Sequence, residues 1–161
     1  MRKLHFHLPH VSLRLLFAGL VAVAVPGLAL AAPAATSGTM QRVVIPDSDQ
    51  FGTFALTIHV GDSVQWVNTD TDNHTVVSDD AVNSAGPWGF NHIIPGTDNN
   101  NGHPGTFSVR FDSPGVWVYY CRFHSHLSDS HQPTAPGPDG GIQDSNGNFG
   151  TPMSGVITVL P

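Results

Sequence analysis

Four side chains in this sequence offer the donor atoms of a mononuclear copper site. His74 and His124 carry imidazole nitrogens, Cys121 carries a thiol and Met153 carries a thioether. Two imidazoles and one thiolate, with a weak axial thioether, are the ligand set of a blue-copper site. Thiolate and thioether suit cuprous ion while imidazole suits both oxidation states, so such a site can pass one electron with little rearrangement. The residue types therefore predict a site for one copper ion.

The cysteine count supports a metal site. Cys121 is the only cysteine of the chain, whereas small exported domains usually contain cysteines in disulfide pairs. A single thiol in an oxidising compartment is buried and inert, is paired with another chain, or is held as a thiolate by a metal. Because a histidine follows Cys121 after two residues, the metal-bound thiolate is the interpretation that we favour.

Other reaction chemistries lack their motifs. The chain has no G-x-S-x-G sequence and no glycine-rich loop that leads from a strand into a helix, as serine hydrolysis and phosphate binding would require. It contains no glutamate, so catalysis by paired carboxylates would depend on aspartates alone. We therefore do not expect an enzyme.

The elements that would position these residues are short strands. The chain contains 17 glycines and 13 prolines, and seven segments alternate between apolar and polar residues with turn residues between them. This pattern predicts an all-β protein, a β-sandwich of about seven to eight strands. Segments 79–105 and 125–152 are too long for hairpin turns and are expected to be loops. The predicted strands cover residues 40–45, 54–60, 63–68, 75–78, 106–111, 116–121 and 155–160.

The first 31 residues read as a secretory signal peptide. Positive charges precede a continuous apolar run over residues 15–30, and the small residues Ala29 and Ala31 stand at the two positions that a signal peptidase reads. A transmembrane anchor is the alternative, but the run is shorter than the roughly 20 residues that a span needs and contains Pro26. We expect cleavage after Ala31, a flexible tether over residues 32–39, and a soluble copper-binding domain over residues 40–161 that is exported to the periplasm or the extracellular space.

The charge balance restricts the class of partner. From Ala32 onward three arginines stand against twelve aspartates. A surface this acidic repels the phosphate backbone of nucleic acids, so we do not expect nucleic-acid binding. A redox protein with a basic docking face is the complementary partner.

Three motifs resemble the cupredoxin family of type 1 copper proteins, most closely its plastocyanin-like members. They are N-x-D-x-x-x-H-T-V, which contains His74, F-x-x-P-G-x-x-x-Y-Y-C-x-x-H, which ends at His124, and M-x-G-x-I-x-V, which begins at Met153. The resemblance covers roughly residues 40–161. It implies a Greek-key β-sandwich with copper at one end, an electron-transfer activity, and the exposed edge of the second histidine as the electron port. It also implies that the backbone N–H of Thr75 points at the sulfur of Cys121.

Two departures from the family pattern leave alternatives open. The C-x-x-H spacing of plastocyanin-like members selects His124, while the C-x₄-H spacing of azurin-like members selects His126; we favour His124. In the family the axial methionine follows the second histidine within a few residues, whereas here Met153 lies 29 positions beyond His124. Its place before the last strand favours a ligand role over simple core packing.

These observations predict a monomeric electron carrier, with a copper-handling protein (a carrier, buffer or delivery module without redox turnover) as the alternative. Trp66 and Trp117 are interpreted as core aromatics, and Tyr120 as either a packing residue or a route from a remote partner site to copper. The other histidines of residues 32–161 are expected to be mostly exposed; with His126 they are the residues available for a second, looser metal site. They are His59, His92, His103 and His131.

Overall fold

The fold is taken from a computed structural model, which describes residues 38–78, 89–137, 140–142 and 150–161. The predicted signal peptide and most of the predicted tether lie outside the described residues. Within the described ranges, no helix is long and apolar enough to cross a membrane.

Ten strands and one 3-10 helix (Thr97–Asn99) are present in the described residues. Eight of the strands build two sheets, and the short strands β8 and β9 pair with each other. The strands are β1 (Met40–Ile45), β2 (Ala55–His59), β3 (Ser63–Asn68), β4 (His74–Ser78), β5 (Phe90–Ile94), β6 (Gly105–Arg110), β7 (Gly115–Tyr120), β8 (His126–Leu127), β9 (Pro133–Thr134) and β10 (Ser154–Leu160).

The two sheets confirm the predicted Greek-key β-sandwich. The smaller sheet has the order β1-β3-β6 and the larger sheet has the order β2-β10-β7-β4-β5. β1 runs parallel to β3 and β2 runs parallel to β10, while the other pairs are antiparallel. Strands that follow each other in the chain thus often belong to different sheets, as Greek-key connections require.

The core lies between the sheets and is built by alternate residues of their strands. Trp66 of the smaller sheet and Tyr119 of the larger one are fully buried and meet edge to face, with ring centroids 5.3 Å apart. An edge-to-face aromatic pair of this kind contributes about 0.5–1.5 kcal/mol beyond the area that it buries. Trp117 is also buried, so the interpretation of both tryptophans as core residues is confirmed.

Gly155 explains the glycine of the M-x-G motif. It pairs with Tyr119 across β10 and β7, and a Cβ atom at this position would lie 2.5 Å from the Tyr119 ring. Only glycine therefore leaves space for the tyrosine ring beside the start of β10.

Three strands lie where the sequence pattern predicts only loops: the two-residue strands β8 and β9 in segment 125–152, and β5. β5 falls within segment 79–105, and all five of its residues pair with β4. It forms the edge of its sheet and leaves three consecutive residues exposed. Because an edge strand of this kind lacks regular alternation of buried and exposed residues, its sequence carries no strand signal.

Candidate metal centre

Three adjacent strands of the larger sheet bring the predicted residues to one end of the sandwich. His74 is the first residue of β4, Cys121 directly follows β7, and Met153 directly precedes β10. Because β7 is antiparallel to both neighbours, its last residue pairs with the first residue of β10, and the chain beyond β7 runs toward the start of β4. His124 stands three residues beyond Cys121, in the turn after β7. Tyr120, also near this end, is 4% exposed and therefore buried.

The sulfur of Cys121 and one nitrogen of each imidazole form a compact triangle. Sγ lies 3.7 Å from Nδ1 of His74 and 3.7 Å from Nδ1 of His124, and the three donor atoms all lie within 4.8 Å of one another. A metal–sulfur bond of about 2.3 Å and a metal–nitrogen bond of about 2.0 Å, with an angle of about 120° between them, place the sulfur and the nitrogen about 3.7 Å apart. The triangle therefore fits one ion in trigonal coordination.

Thr75 contacts the sulfur of Cys121 through its backbone N–H and its hydroxyl. Its backbone N–H donates to Cys121 Sγ at 3.3 Å, which confirms the contact that the family resemblance implies, and its hydroxyl lies 3.7 Å from the same sulfur. The hydroxyl also accepts a hydrogen bond from the backbone N–H of Arg122 at 2.8 Å. Such donors orient the sulfur and adjust the electron density that it offers to a metal.

The Cys121 thiol is strongly acidic in this environment. Burial by itself raises the pKa of this thiol. The imidazoles of His124 and His74 and the backbone N–H groups of Thr75 and Phe123 lower the pKa by a larger amount, so that the net pKa is about 5. The sulfur is thus a thiolate at neutral pH, which is the form that binds metals. Little free energy is then needed to deprotonate it on metal binding.

Asp70 sets the orientation of the His74 ring. Its carboxylate lies 3.0 Å from Nε2 of His74, and both residues are buried. Because a carboxylate only accepts hydrogen bonds, Nε2 carries a proton and Nδ1 is left to face the sulfur. Burial lowers the pKa of His74, but Cys121 and Asp70 outweigh it, and the pKa is raised.

Asn68 organises the loop that carries Asp70 to His74. This fully buried amide donates to the carbonyl oxygens of Asp72 at 2.8 Å and Ile94 at 3.1 Å, and it accepts from the backbone N–H of Asp70 at 3.0 Å. A buried polar side chain with its partners satisfied fixes the loop in one conformation. This explains why the motif that precedes His74 contains both Asn68 and Asp70.

Met153 closes the base of the long loop that follows His124. Its carbonyl oxygen accepts from the backbone N–H of Cys121 at 3.0 Å and from the Ser125 hydroxyl at 3.1 Å, and its N–H lies 3.5 Å from the His124 carbonyl oxygen. The side chain is fully buried. The 29-position separation from His124 therefore does not separate the two residues in space.

The segment inserted between His124 and Met153 contains pairings of its own. β8 and β9 form a small hairpin in which His126 pairs with Thr134, and further along the segment the N–H of Gly150 donates to the Gly140 carbonyl oxygen at 2.8 Å. His126 is exposed, whereas His124 belongs to the triangle around the sulfur.

The remaining histidines do not gather into a second site within the described ranges. There, two groups of three metal-binding side chains occur: the triangle and a group of Asp49, Asp70 and His74. The expected exposure of the other four histidines is confirmed. They are His59, His92, His103 and His131.

Asp49 is a site residue that sequence reasoning missed. One of its carboxylate oxygens lies 3.3 Å from Nε2 of His124 and 3.7 Å from Nε2 of His74. Asp70 could have been recognised from its place four residues before His74, but Asp49 lies in the loop between β1 and β2. Nothing in its local sequence indicates that this loop reaches the site.

Comparison with known proteins gives one family match. The family described as copper binding proteins, plastocyanin/azurin family, matches residues 40–129. Plastocyanin of the Chlamydomonas reinhardtii chloroplast is 32% identical over 109 residues, which cover 66% of this chain and 72% of the relative. Among solved structures, a reduced amicyanin variant matches at 20% identity with a TM-score of 0.47, over 79% of this chain and 87% of that one. An oxidised amicyanin variant matches at 19% identity with a TM-score of 0.46, over 74% of this chain and 80% of that one.

Proposed function

This chain belongs to the plastocyanin/azurin family of copper-binding proteins, and from that premise we propose that it is a mononuclear type 1 copper protein that carries single electrons between redox partners. The proposed ligands are His74, Cys121 and His124 in the trigonal plane and Met153 on the axis. The observation that carries the proposal is the triangle of one sulfur and two Nδ1 atoms with 3.7 Å sides to the sulfur.

The surroundings of the triangle suit electron transfer. Copper supplies the one-electron couple when it is bound. The protein holds the sulfur through Thr75 and the His74 ring through Asp70, and three of the four proposed ligands are fully buried. A site whose donors are already fixed changes little between oxidation states, which keeps the barrier to electron exchange low.

The electron port that we propose is the outer edge of His124. Its side chain is 22% exposed while that of His74 is completely buried, and the neighbouring Phe123 is 52% exposed. His124 is thus the imidazole that a partner can approach. The acidic composition of the chain favours a partner with a basic docking face.

The cellular setting is part of the proposal. The apolar run and small residues at the N-terminus support export to the periplasm or the extracellular space as a soluble, monomeric carrier. A copper-handling role is the second candidate, because His126 and His131 are exposed on the insertion beside the site.

Spectroscopy of the copper-loaded mature protein tests the two candidates. An electron carrier is expected to show an intense thiolate-to-copper absorption band, the matching cupric electron paramagnetic resonance signal, and reversible loss of both on one-electron reduction. A protein that holds only cuprous ion and stays colourless in the presence of oxidants would contradict electron transfer and support copper handling.

Replacement of Met153 by Gln is expected to retain copper and to lower the reduction potential. A harder axial oxygen stabilises cupric over cuprous ion, and the main-chain contacts of residue 153 remain. Voltammetry of the mutant measures the shift, with the exposed Met40 changed to Gln as the matched control. A potential equal to that of the control would assign Met153 to core packing alone.

A further inference from the structure

Asp49 is held in place by the loop that carries it. Within this loop the N–H of Gly52 donates to the Val44 carbonyl oxygen at 2.8 Å, and the Gln50 side chain donates to Ser48 Oγ at 2.7 Å. Phe51 is buried and contacts the Tyr119 ring, with centroids 4.7 Å apart. A loop pinned by a core aromatic and by its own hydrogen bonds presents its carboxylate at a defined position.

One oxygen of Asp49 lies within reach of both imidazoles. It is 3.3 Å from Nε2 of His124 and 3.7 Å from Nε2 of His74, and the side chain is 16% exposed. His74 already has the closer carboxylate of Asp70 at 3.0 Å. The structure thus places one carboxylate beside each imidazole: Asp70 lies beside the buried ring of His74, and Asp49 lies beside the partly exposed ring of His124.

We infer that Asp49 is a positioning residue for His124 that also favours the cupric state of the site. This inference rests on the proposed copper-binding function. The carboxylate oxygen, 3.3 Å from Nε2 of His124, attracts this edge of the ring through its charge, which leaves Nδ1 directed at the sulfur and limits rotation of the partly exposed ring. As a partly buried negative charge beyond that ring, it stabilises the doubly charged ion more than the singly charged one.

The expected effect on the redox equilibrium follows from charge. Removal of one negative charge that lies 3.3 Å beyond Nε2 of a proposed ligand histidine is expected to shift the cupric-to-cuprous preference by about tenfold, which for a one-electron couple raises the potential by about 59 mV. Removal of the charged group that supports a proposed ligand histidine is expected to weaken copper binding by about 10- to 100-fold.

Two pairs of variants test these effects separately in the full mature protein. Asp49→Asn removes the charge and keeps an acceptor, and Asp49→Gly removes the acceptor as well. Both replacements suit the backbone, because Asp49 has φ 53° and asparagine and glycine tolerate this left-handed conformation. Asp47→Asn and Asp47→Gly are the matched controls, since Asp47 lies on the same loop and is exposed.

We expect a higher potential in both Asp49 variants and faster copper loss to a chelator in Asp49→Gly. Nitrogen-15 NMR of the diamagnetic cuprous protein should show the His124 Nε2–H signal in the unaltered protein and in Asp49→Asn, and its loss through exchange in Asp49→Gly. Equal potentials in the Asp49 and Asp47 variants, together with an unchanged His124 signal, would overturn the inference.

Failure of the proposed function would look different from failure of this inference. The unaltered protein would then lack the thiolate-to-copper band, whatever residue stands at position 49. In that case the same NMR measurement on the metal-free protein tests the contact between Asp49 and His124. A His124 ring signal that is identical in the unaltered protein and in Asp49→Gly would again overturn the inference.

Discussion

Replacement of Cys121 by Ser is expected to abolish the intense absorption band of the copper-loaded protein. The band requires a thiolate bond to the ion, and a hydroxyl is a hard group that stays protonated at neutral pH. The Thr75 N–H that now donates to sulfur at 3.3 Å can donate to the serine oxygen, so the fold should persist. Absorption and electron paramagnetic resonance measure the loss, and circular dichroism confirms that the protein is folded.

The matched control for this variant is Arg122→Ser. Arg122 is the next residue and is exposed, and its guanidinium contacts Asn91 at 2.9 Å rather than the triangle. This variant should keep the band, because the backbone N–H of residue 122 still donates to the hydroxyl of Thr75. An intense charge-transfer band in folded Cys121→Ser would refute the assignment of Cys121 as the thiolate ligand.

The second large effect is expected at the two histidines beyond Cys121. Replacement of His124 by Ala should open a coordination position, remove the normal spectrum, and allow added imidazole to restore it, because the cavity left by the ring adjoins solvent. Replacement of the exposed His126 by Ala should leave the spectrum nearly unchanged, since His126 belongs to β8 and pairs with Thr134. Titration of both mutants with imidazole measures the difference.

The opposite result would change the description of the ligand loop. Rescue by imidazole in the His126 mutant alone would indicate an azurin-like spacing. The turn after β7 would then have to rearrange on copper binding, because the structure places Nδ1 of His124 3.7 Å from the sulfur.

The sequence predicted the chemistry of the site well because the donor types are rare and lie at strand ends. Few interpretations fit the combination of donors in this chain. It contains a single cysteine with a nearby histidine, a second histidine before an apolar strand, and a methionine before the last predicted strand. The structure places His74, Cys121 and His124 together, and it hydrogen-bonds the main chain of Met153 to Cys121. Their roles as copper ligands remain predictions that the variants above test.

The carboxylates and the edge strand could not be predicted in the same way. Asp49 reaches His124 from a loop that is anchored by Phe51 against Tyr119, which is a tertiary contact with no local pattern. β5 is a strand because β4 offers it a complete set of hydrogen-bonding partners, not because its own residues alternate. In both cases the decisive interaction joins residues that are distant in the sequence.

The place of β10 has a consequence for the order in which this protein folds. β10 is synthesised after the nine other strands of the described residues, yet it lies between β2 and β7, and Met153 directly precedes it. Until it docks, the larger sheet lacks an inner strand, and Cys121 lacks the carbonyl oxygen that accepts its N–H. Pairings between such distant segments form slowly, since the loops between them must close first. The proposed site is therefore complete only after β10 has entered the sheet, so that capture of copper by the four proposed donors would be a late step that follows synthesis of all ten described strands.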